Sequence, residues 1–453
     1  MDELIVSVSG LRGIVGTSLT PEIAVRYAEA FLATLPPGPI VIGRDGRASG
    51  GLFADAIATA VQAAGRDVLD AGVAATPTVG ILVQHEQAAG GIQISASHNP
   101  PQYNGMKLFS AAGRVLSAEV GRQVLALFEE AGAVEAAATP GVRRQVDGAP
   151  LHVARVVACV DAEKIRQVRP HVWLDAGHGA GSCAARLLCE ALGCDLTIVG
   201  GTPDGLFEHT PEPTEENLAA MLPQIAASGA DVGFFQDPDA DRLAIATSAG
   251  RFIGEEATLP LAVEAVLEKT PGPVVVNCST SGMTAMVAAQ RGVACHVSAV
   301  GEANVVDQML ATGAVIGGEG NGGVIDPRVV LVRDSIAGMA LVLERMCAGG
   351  SLTSLETLAQ RLPQRVMLKT KVQLGPADRG AGLTAAFDRI AAAFPQAEAS
   401  RLDGLRLAED GMWVLVRASN TEPIVRIVAE AETASGAEAA IERARAAMTS
   451  PAG

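Results

Sequence analysis

The sequence predicts three similar mixed α/β units followed by one smaller α+β unit. Short apolar runs of strand length alternate with longer helical stretches from the start of the chain to about residue 362. Beyond Leu362 the rhythm changes to closely spaced strands with two helices. The length of 453 residues suggests about three domains at roughly 150 residues each. The units are placed at residues 1–150, 151–250, 251–362 and 363–453.

In the first unit, Ile40–Gly43, Asp67–Asp70 and Gly91–Ile94 are predicted strands. Thr20-Pro21-Glu22 starts a helix, with a capping hydroxyl and Pro in the first turn. Further helices begin near Gly51 and after Ser117-Ala118-Glu119. The strand ending at Ile94 runs into Ser95-Ala96-Ser97-His98-Asn99-Pro100-Pro101. Two prolines stop regular structure there, so the Ser97 hydroxyl is held at a fixed point, with His98 beside it. Asn104-Gly105-Met106-Lys107 reads as a turn that returns an ammonium towards that hydroxyl. Only five of the 34 basic residues are Lys. Unlike Arg, a buried Lys can give up a proton, which makes Lys107 an acid/base candidate.

The second unit begins near His152, with Val172–Asp175 as a strand. The cluster Gly177-His178-Gly179-Ala180-Gly181 lacks dinucleotide-fingerprint spacing and reads as tight packing. Two strand-like runs, Ala230–Phe235 and Leu243–Thr247, flank Asp237-Pro238-Asp239-Ala240-Asp241-Arg242. Asp237, Asp239 and Asp241 can converge on one hard cation, Mg²⁺ or Ca²⁺. An EF-hand is excluded because its Gly and Glu positions hold Arg242 and Ser248. As a solvated acidic turn without a cation, the three carboxylates would repel one another.

The third unit, from about Arg251, has strands at Val274–Asn277 and Val293–Ser298. It carries Gly317-Gly318-Glu319-Gly320-Asn321-Gly322-Gly323, whose glycines let backbone approach a ligand. Glu319 can accept from hydroxyls, and Asn321 can accept and donate. In the last unit, Val366–Leu374, Leu402–Leu407 and Met412–Arg417 are predicted strands, with helices at Gly382–Phe394 and Ser435–Met448. Its loop Arg417-Ala418-Ser419-Asn420-Thr421-Glu422-Pro423, with Arg426 beyond, suits a phosphate monoester: two guanidinium forks, short hydroxyl donors and an amide.

Taken together, these four loops resemble those of the α-D-phosphohexomutase family, in the same order and over essentially the whole chain. Ser95–Pro100 with Asn104–Lys107 resembles the family's phosphoserine loop, Asp237–Arg242 its metal loop, Gly317–Gly323 its sugar loop and Arg417–Arg426 its phosphate loop. Ser9-Gly10-Leu11-Arg12-Gly13, the stretch Gly43–Gly50, Asp204–Asn217 with His209, and Val300-Gly301-Glu302 are similar as well. Many members read Gly-Glu-x-Ser-Gly-His in the sugar loop. Here Asn321 and Gly323 stand at the Ser and His places, a form similar to archaeal-type phosphoglucosamine or phosphomannomutases.

The resemblance implies four domains around a central cleft. It implies a phosphate carried on Ser97 and Mg²⁺ held by Asp237, Asp239, Asp241 and Ser97. Lys107, Arg12 and His98 are the implied catalytic group, with Lys107 as base and Arg12 and Arg242 stabilising charge. Arg417, Ser419, Asn420, Thr421 and Arg426 hold the substrate phosphate, while Arg242, Glu319 and Asn321 contact the sugar. A hexose 1-phosphate and its 6-phosphate are interconverted through a 1,6-bisphosphate, which also primes the enzyme. Phosphoglucosamine mutase is the first choice and phosphomannomutase or phosphoglucomutase the second. A serine-nucleophile phosphatase and a silent phosphosugar-binding protein are the rival classes.

The net charge of −16 argues against nucleic acid and anionic membrane as partners. No run of 18 apolar residues appears, so no membrane span is expected. Seven cysteines without CxxC spacing, most of them in apolar segments, fit a reducing, cytoplasmic setting. A monomer or homodimer is expected.

Overall fold

A computed structural model describes residues 4–8, 10–130, 136–373, 381–409, 411–418 and 424–449. They form four sheets. The first orders its strands Ile5–Ser7, Gly10–Ile14, Tyr103–Ser110, Gly90–Ile94, Ile40–Arg44, Val68–Val73 and Arg143–Gln145. The second orders Leu243–Thr247, Val232–Gln236, His171–Asp175 and Asp195–Val199; the third orders Cys295–Ser298, Val274–Asn277, Ile316–Glu319 and Gly323–Ile325. The fourth, Val366–Gln373, Ile424–Ala431, Met412–Ala418, Leu405–Glu409 and Glu398–Ser400, is wholly antiparallel.

One device recurs in all four. In each of the first three sheets a parallel strand meets an antiparallel neighbour across a chain reversal: Gly90–Ile94 with Tyr103–Ser110, Val232–Gln236 with Leu243–Thr247, and Ile316–Glu319 with Gly323–Ile325. In the fourth, Met412–Ala418 and Ile424–Ala431 form the corresponding pair. Each reversal carries one of the four loops. The repeat that the sequence shows only as a rhythm is therefore explicit in strand direction.

Local sequence explains much of this. The Thr20 hydroxyl accepts from the Ile23 N–H at the start of helix Pro21–Leu32. The segment Asn104–Lys107 corrects the turn reading, because it lies inside strand Tyr103–Ser110. Cross-strand pairing supplies the reason, since Met106 faces both Leu11 and Ile94, and apolar side chains bury that face. The predicted strand at Leu402 starts only at Leu405, after Gly404 with φ +80°.

One continuous apolar core runs through the first three units, from Val41 and Val79 through Leu174 and Phe234 to Val276, Ile316 and Leu343. The fourth unit has its own core around Val414, Val425, Ile427 and Ala444. A small apolar patch of Cys278, Trp413 and Leu415 joins it to the third. Cys189, Cys278 and Cys347 are buried, whereas Cys183 is exposed. Among the described residues no helix is long and apolar enough to cross a membrane.

Candidate active site

Ser97 is fully buried and has φ +49°, a left-handed conformation uncommon for a residue with a side chain. The buried Arg47 guanidinium over-determines it. Arg47 donates to the carbonyls of Ser97 at 2.7 Å, Asn99 at 2.5 Å, Pro100 at 2.7 Å and Tyr103 at 3.0 Å. Its Nε pairs with Asp45 at 3.0 Å. Ser95 accepts from the Ser97 N–H and donates to Asp45. Phe207, from the second unit, lies 5.1 Å from the Arg47 carbon. Two of the supporting stretches, Gly43–Gly50 and Asp204–Asn217, thus meet on the Ser97 loop.

So held, the Ser97 Oγ donates to Asp237 Oδ2 at 2.8 Å across 140 residues of chain. His98 Nδ1 stands 3.4 Å from the same hydroxyl. Burial, then the charges of Arg242 and Arg12, push the His98 imidazole down to about 3, so it is neutral at ordinary pH. Arg12 donates to the Asn99 side chain at 3.2 Å.

Asp237, Asp239 and Asp241 are all completely buried, with ligand-capable oxygens within 4.8 Å of one another. Asp237 Oδ1 accepts from the Asp241 and Arg242 N–H groups. Lys107 Nζ donates to Asp239 Oδ2 and Asp241 Oδ2, both at 2.6 Å, and Thr76 donates to Asp239 Oδ2. Asp239 Oδ1 and Asp241 Oδ1 are left buried without a hydrogen-bond partner. Burial raises the Asp237 carboxyl, and Asp241 and Asp239 raise it further. Orphaned carboxylate oxygens in an all-oxygen set fit a hard divalent cation. The glycine cluster at 177–181 packs against this loop: a Cβ at Gly179 would meet Pro238 O at 2.5 Å, and one at Gly181 the Ala240 Cβ at 2.6 Å.

The structure alters the reading of Lys107. Burial lowers its ammonium, but Asp239 and Asp241 outweigh burial and hold it above the ordinary lysine value. In this arrangement it is the charge partner of two aspartates, and a role as base needs it deprotonated, which those two carboxylates oppose.

Glu319 ends its strand buried and accepts from Asn277 Nδ2 at 2.8 Å and the Gly301 N–H at 3.2 Å. Arg333 Nη1 donates to Glu319 Oε2 at 2.6 Å and Arg333 Nη2 to Asp241 Oδ2 at 2.6 Å; its N–H donates to Glu302. Sequence reasoning missed Arg333, which belongs to no motif. The available signal was an arginine closing the apolar run Val329–Val332, just before Asp334 caps helix Ser335–Cys347.

Arg417 and Arg426 are register partners on adjacent strands, and Lys371 is the partner of Arg426 on the next strand. Three cations thus share one row and one sheet face. Arg417 Nε donates to Asp403 at 2.8 Å, and Asp403 accepts from the Val300 N–H at 3.0 Å. Ser419, Asn420 and Thr421 lie outside the described residues.

The pieces face one cleft. A cavity of about 660 Å³ is walled by Arg12, His98 and Lys107 from the first unit, Arg242 from the second, Glu319, Asn321 and Arg333 from the third and Arg417 and Arg426 from the fourth. A neighbouring cavity of about 500 Å³ shares His98, Glu319, Asn321, Arg417 and Arg426 with it and adds Glu256, Lys369 and Lys371. Ser97 and the three aspartates form a floor buried one layer behind this lining, reached through His98 beside Ser97 and Lys107 on Asp239 and Asp241.

Comparison with known proteins gives a consistent result. The family models described as phosphoglucomutase/phosphomannomutase alpha/beta/alpha domains I, II and III match residues 4–135, 150–250 and 255–366, and the C-terminal domain model matches 371–447. A phosphoglucomutase/phosphomannomutase of Thermococcus kodakarensis is 36% identical over 441 residues, 96% of each chain. A probable phosphoglucosamine mutase of Methanopyrus kandleri is 33% identical, covering 94% of this chain and 93% of that one. A crystal structure of a phosphoglucomutase/phosphomannomutase family protein from Burkholderia thailandensis superimposes with a TM-score of 0.84 at 27% identity, over 98% of both chains.

Proposed function

Since the chain belongs to the phosphoglucomutase/phosphomannomutase family, we propose that it is a phosphohexomutase acting through a phosphoserine at Ser97, with glucosamine phosphate as preferred substrate. The observation that carries the site assignment is the 2.8 Å contact between the Ser97 hydroxyl and Asp237 on the floor of a cleft built by all four units.

Asp237, Asp239 and Asp241, with an oxygen on Ser97, would hold Mg²⁺, which when bound offsets charge on the transferring phosphoryl group. The chain's own residues do the rest. Arg47 fixes the backbone that presents Ser97. Arg417, Arg426 and Lys371 hold the phosphate already on the sugar. Glu319 and Asn321 meet the ring hydroxyls. Arg12 and Arg242 stabilise developing charge, and Lys107 passes a proton to the released serine oxygen and takes back the one that the attacking sugar hydroxyl loses. The second half-reaction presents the other end of a 1,6-bisphosphate to Ser97, so the cleft accepts the sugar in two orientations.

The loop Gly-Glu-Gly-Asn-Gly-Gly is similar to that of archaeal-type phosphoglucosamine or phosphomannomutases, and glucosamine is put first because the Methanopyrus relative bears the phosphoglucosamine mutase name. The Thermococcus relative supports glucose and mannose phosphates as the second reading. A side-by-side turnover assay with the three 1-phosphates, Mg²⁺ and a 1,6-bisphosphate primer decides between them. Ser97→Ala should abolish turnover while sugar-phosphate binding stays within about tenfold, roughly 1.4 kcal/mol. Stoichiometric release of inorganic phosphate would replace the mutase with a phosphatase.

A further inference from the structure

Gly323 is the cross-strand partner of Glu319. Opposed residues of an antiparallel pair point to the same face, with Cβ atoms about 4.5–5.5 Å apart. A side chain at 323 would therefore stand beside the Glu319 carboxylate. Gly323 sits in a strand and its φ is not positive, so backbone conformation does not demand glycine. Space does. A Cβ there would lie 2.3 Å from Arg333 Cδ and 2.9 Å from Arg333 Cγ. The arginine stem crosses directly over the vacant position. Its guanidinium then forks, one arm to Glu319 and one to Asp241, each at 2.6 Å, with Nε 3.3 Å from Glu302.

We propose that Arg333 is a positioning residue for the mutase reaction, supplying over Gly323 the side chain that the sugar loop lacks there, and that it aligns Glu319 and the aspartate loop as one unit. The rigid fork makes this possible. A single planar guanidinium can span two carboxylates with fixed directions, which a lysine ammonium cannot reproduce. Glu319 is thereby aimed from the sugar loop while Asp241 is aimed from the metal loop. The two loops move together or not at all, and glycine at 323 is the condition for it. The inference rests on the mutase reading.

The test is a double-mutant cycle at the two positions, with kcat and KM measured for the best hexose 1-phosphate. Arg333→Ala should lower kcat at least about thirtyfold, and Gly323→Ala at least about tenfold by displacing the arginine. The double variant should be no worse than Arg333→Ala within about twofold, because the alanine at 323 then meets only Asn321 Oδ1, 3.0 Å from its Cβ, in place of the arginine stem. Millimolar guanidinium should restore several-fold turnover to Arg333→Ala. Effects that multiply in the double variant, or a Gly323→Ala enzyme of wild-type kcat, would overturn the proposal. If Arg333→Ala does not fold, Gly323→Ala decides alone: lowered kcat with an unchanged melting temperature supports it, and wild-type kcat refutes it. Wild-type turnover in the same assay tests the mutase reading separately. Calorimetric binding of glucose 6-phosphate reports on Glu319 without needing turnover: weakened binding in both single variants supports the alignment, and unchanged binding in both sinks it.

Discussion

The floor of the cleft and its C-terminal wall are built by the same kind of strand reversal, yet they differ in how they are held. On the floor, Ser97 and the three aspartates are completely buried. Arg47 and Lys107 from the first unit and Arg333 from the third bind them where the first three units meet. On the wall, Arg417, Arg426 and Lys371 stand in a row on a sheet with its own core, joined to the rest by a small apolar patch around Cys278, Trp413 and Leu415. Polar ties supplement that patch: Asp403 to Val300, Glu430 to Gly282, and Lys369 to Glu256. Under the proposed function, phosphoryl transfer at the floor would need fixed geometry, which these contacts supply. An anion held in either of two orientations needs dense positive charge more than rigidity. A lightly attached row of cations supplies that.

Attack on the floor should cost the most. Chelation with EDTA should lower turnover by about a thousandfold or more, and added Mg²⁺ should restore it, as measured with the coupled mutase assay. Indifference to chelation would remove the cation from the floor. Arg47→Gln should come next. It leaves the buried Asp45 carboxylate without its charge partner, so denaturant titration should show a loss of about 3–5 kcal/mol. A wild-type midpoint would mean that the Ser97 loop holds itself.

The wall should respond in KM. Lys371→Ala and Arg417→Ala should each raise KM about tenfold or more, in line with roughly 1.5–3 kcal/mol for a charge-assisted bond, while kcat stays within about threefold. A fall in kcat without change in KM would place these cations on the floor's side of the comparison.

The seam between third and fourth units should show its effect in stability and leave turnover alone. Burial pushes the Glu256 carboxyl up to about 7 from an ordinary 4.5, although Lys369 pulls it down. The folded state therefore holds that proton more tightly than the unfolded chain. The stabilisation is complete below about pH 4.5 and is lost as pH rises through about 7. At roughly 1.4 kcal/mol per unit it amounts to about 3–4 kcal/mol. Glu256→Gln should flatten the melting temperature over that window; an unchanged pH profile would show that another group governs the seam.

Much of the active site was legible in the chain because its chemistry is local. Three aspartates at alternate positions, a serine between a strand and two prolines, and glycines around Glu319 are patterns within seven residues. The change to an α+β unit after Leu362 is likewise a local periodicity. Other features became visible only in the folded chain. Arg47 reaches carbonyls about 50 residues away, Lys107 finds Asp241 across 134 residues, and Arg333 spans 92 residues to the same carboxylate. Such pairings leave no mark in short-range spacing. The charge state of Lys107 is the sharpest case: residue type permits either a base or an ammonium. Burial favours the first, and only the arrival of two carboxylates from another unit decides for the second. Sequence by itself determined which groups the molecule owns and which loops carry them. Tertiary structure decided which of them meet, because the energy of a buried ion pair depends on separation and surroundings, and both are set by the packing of distant segments.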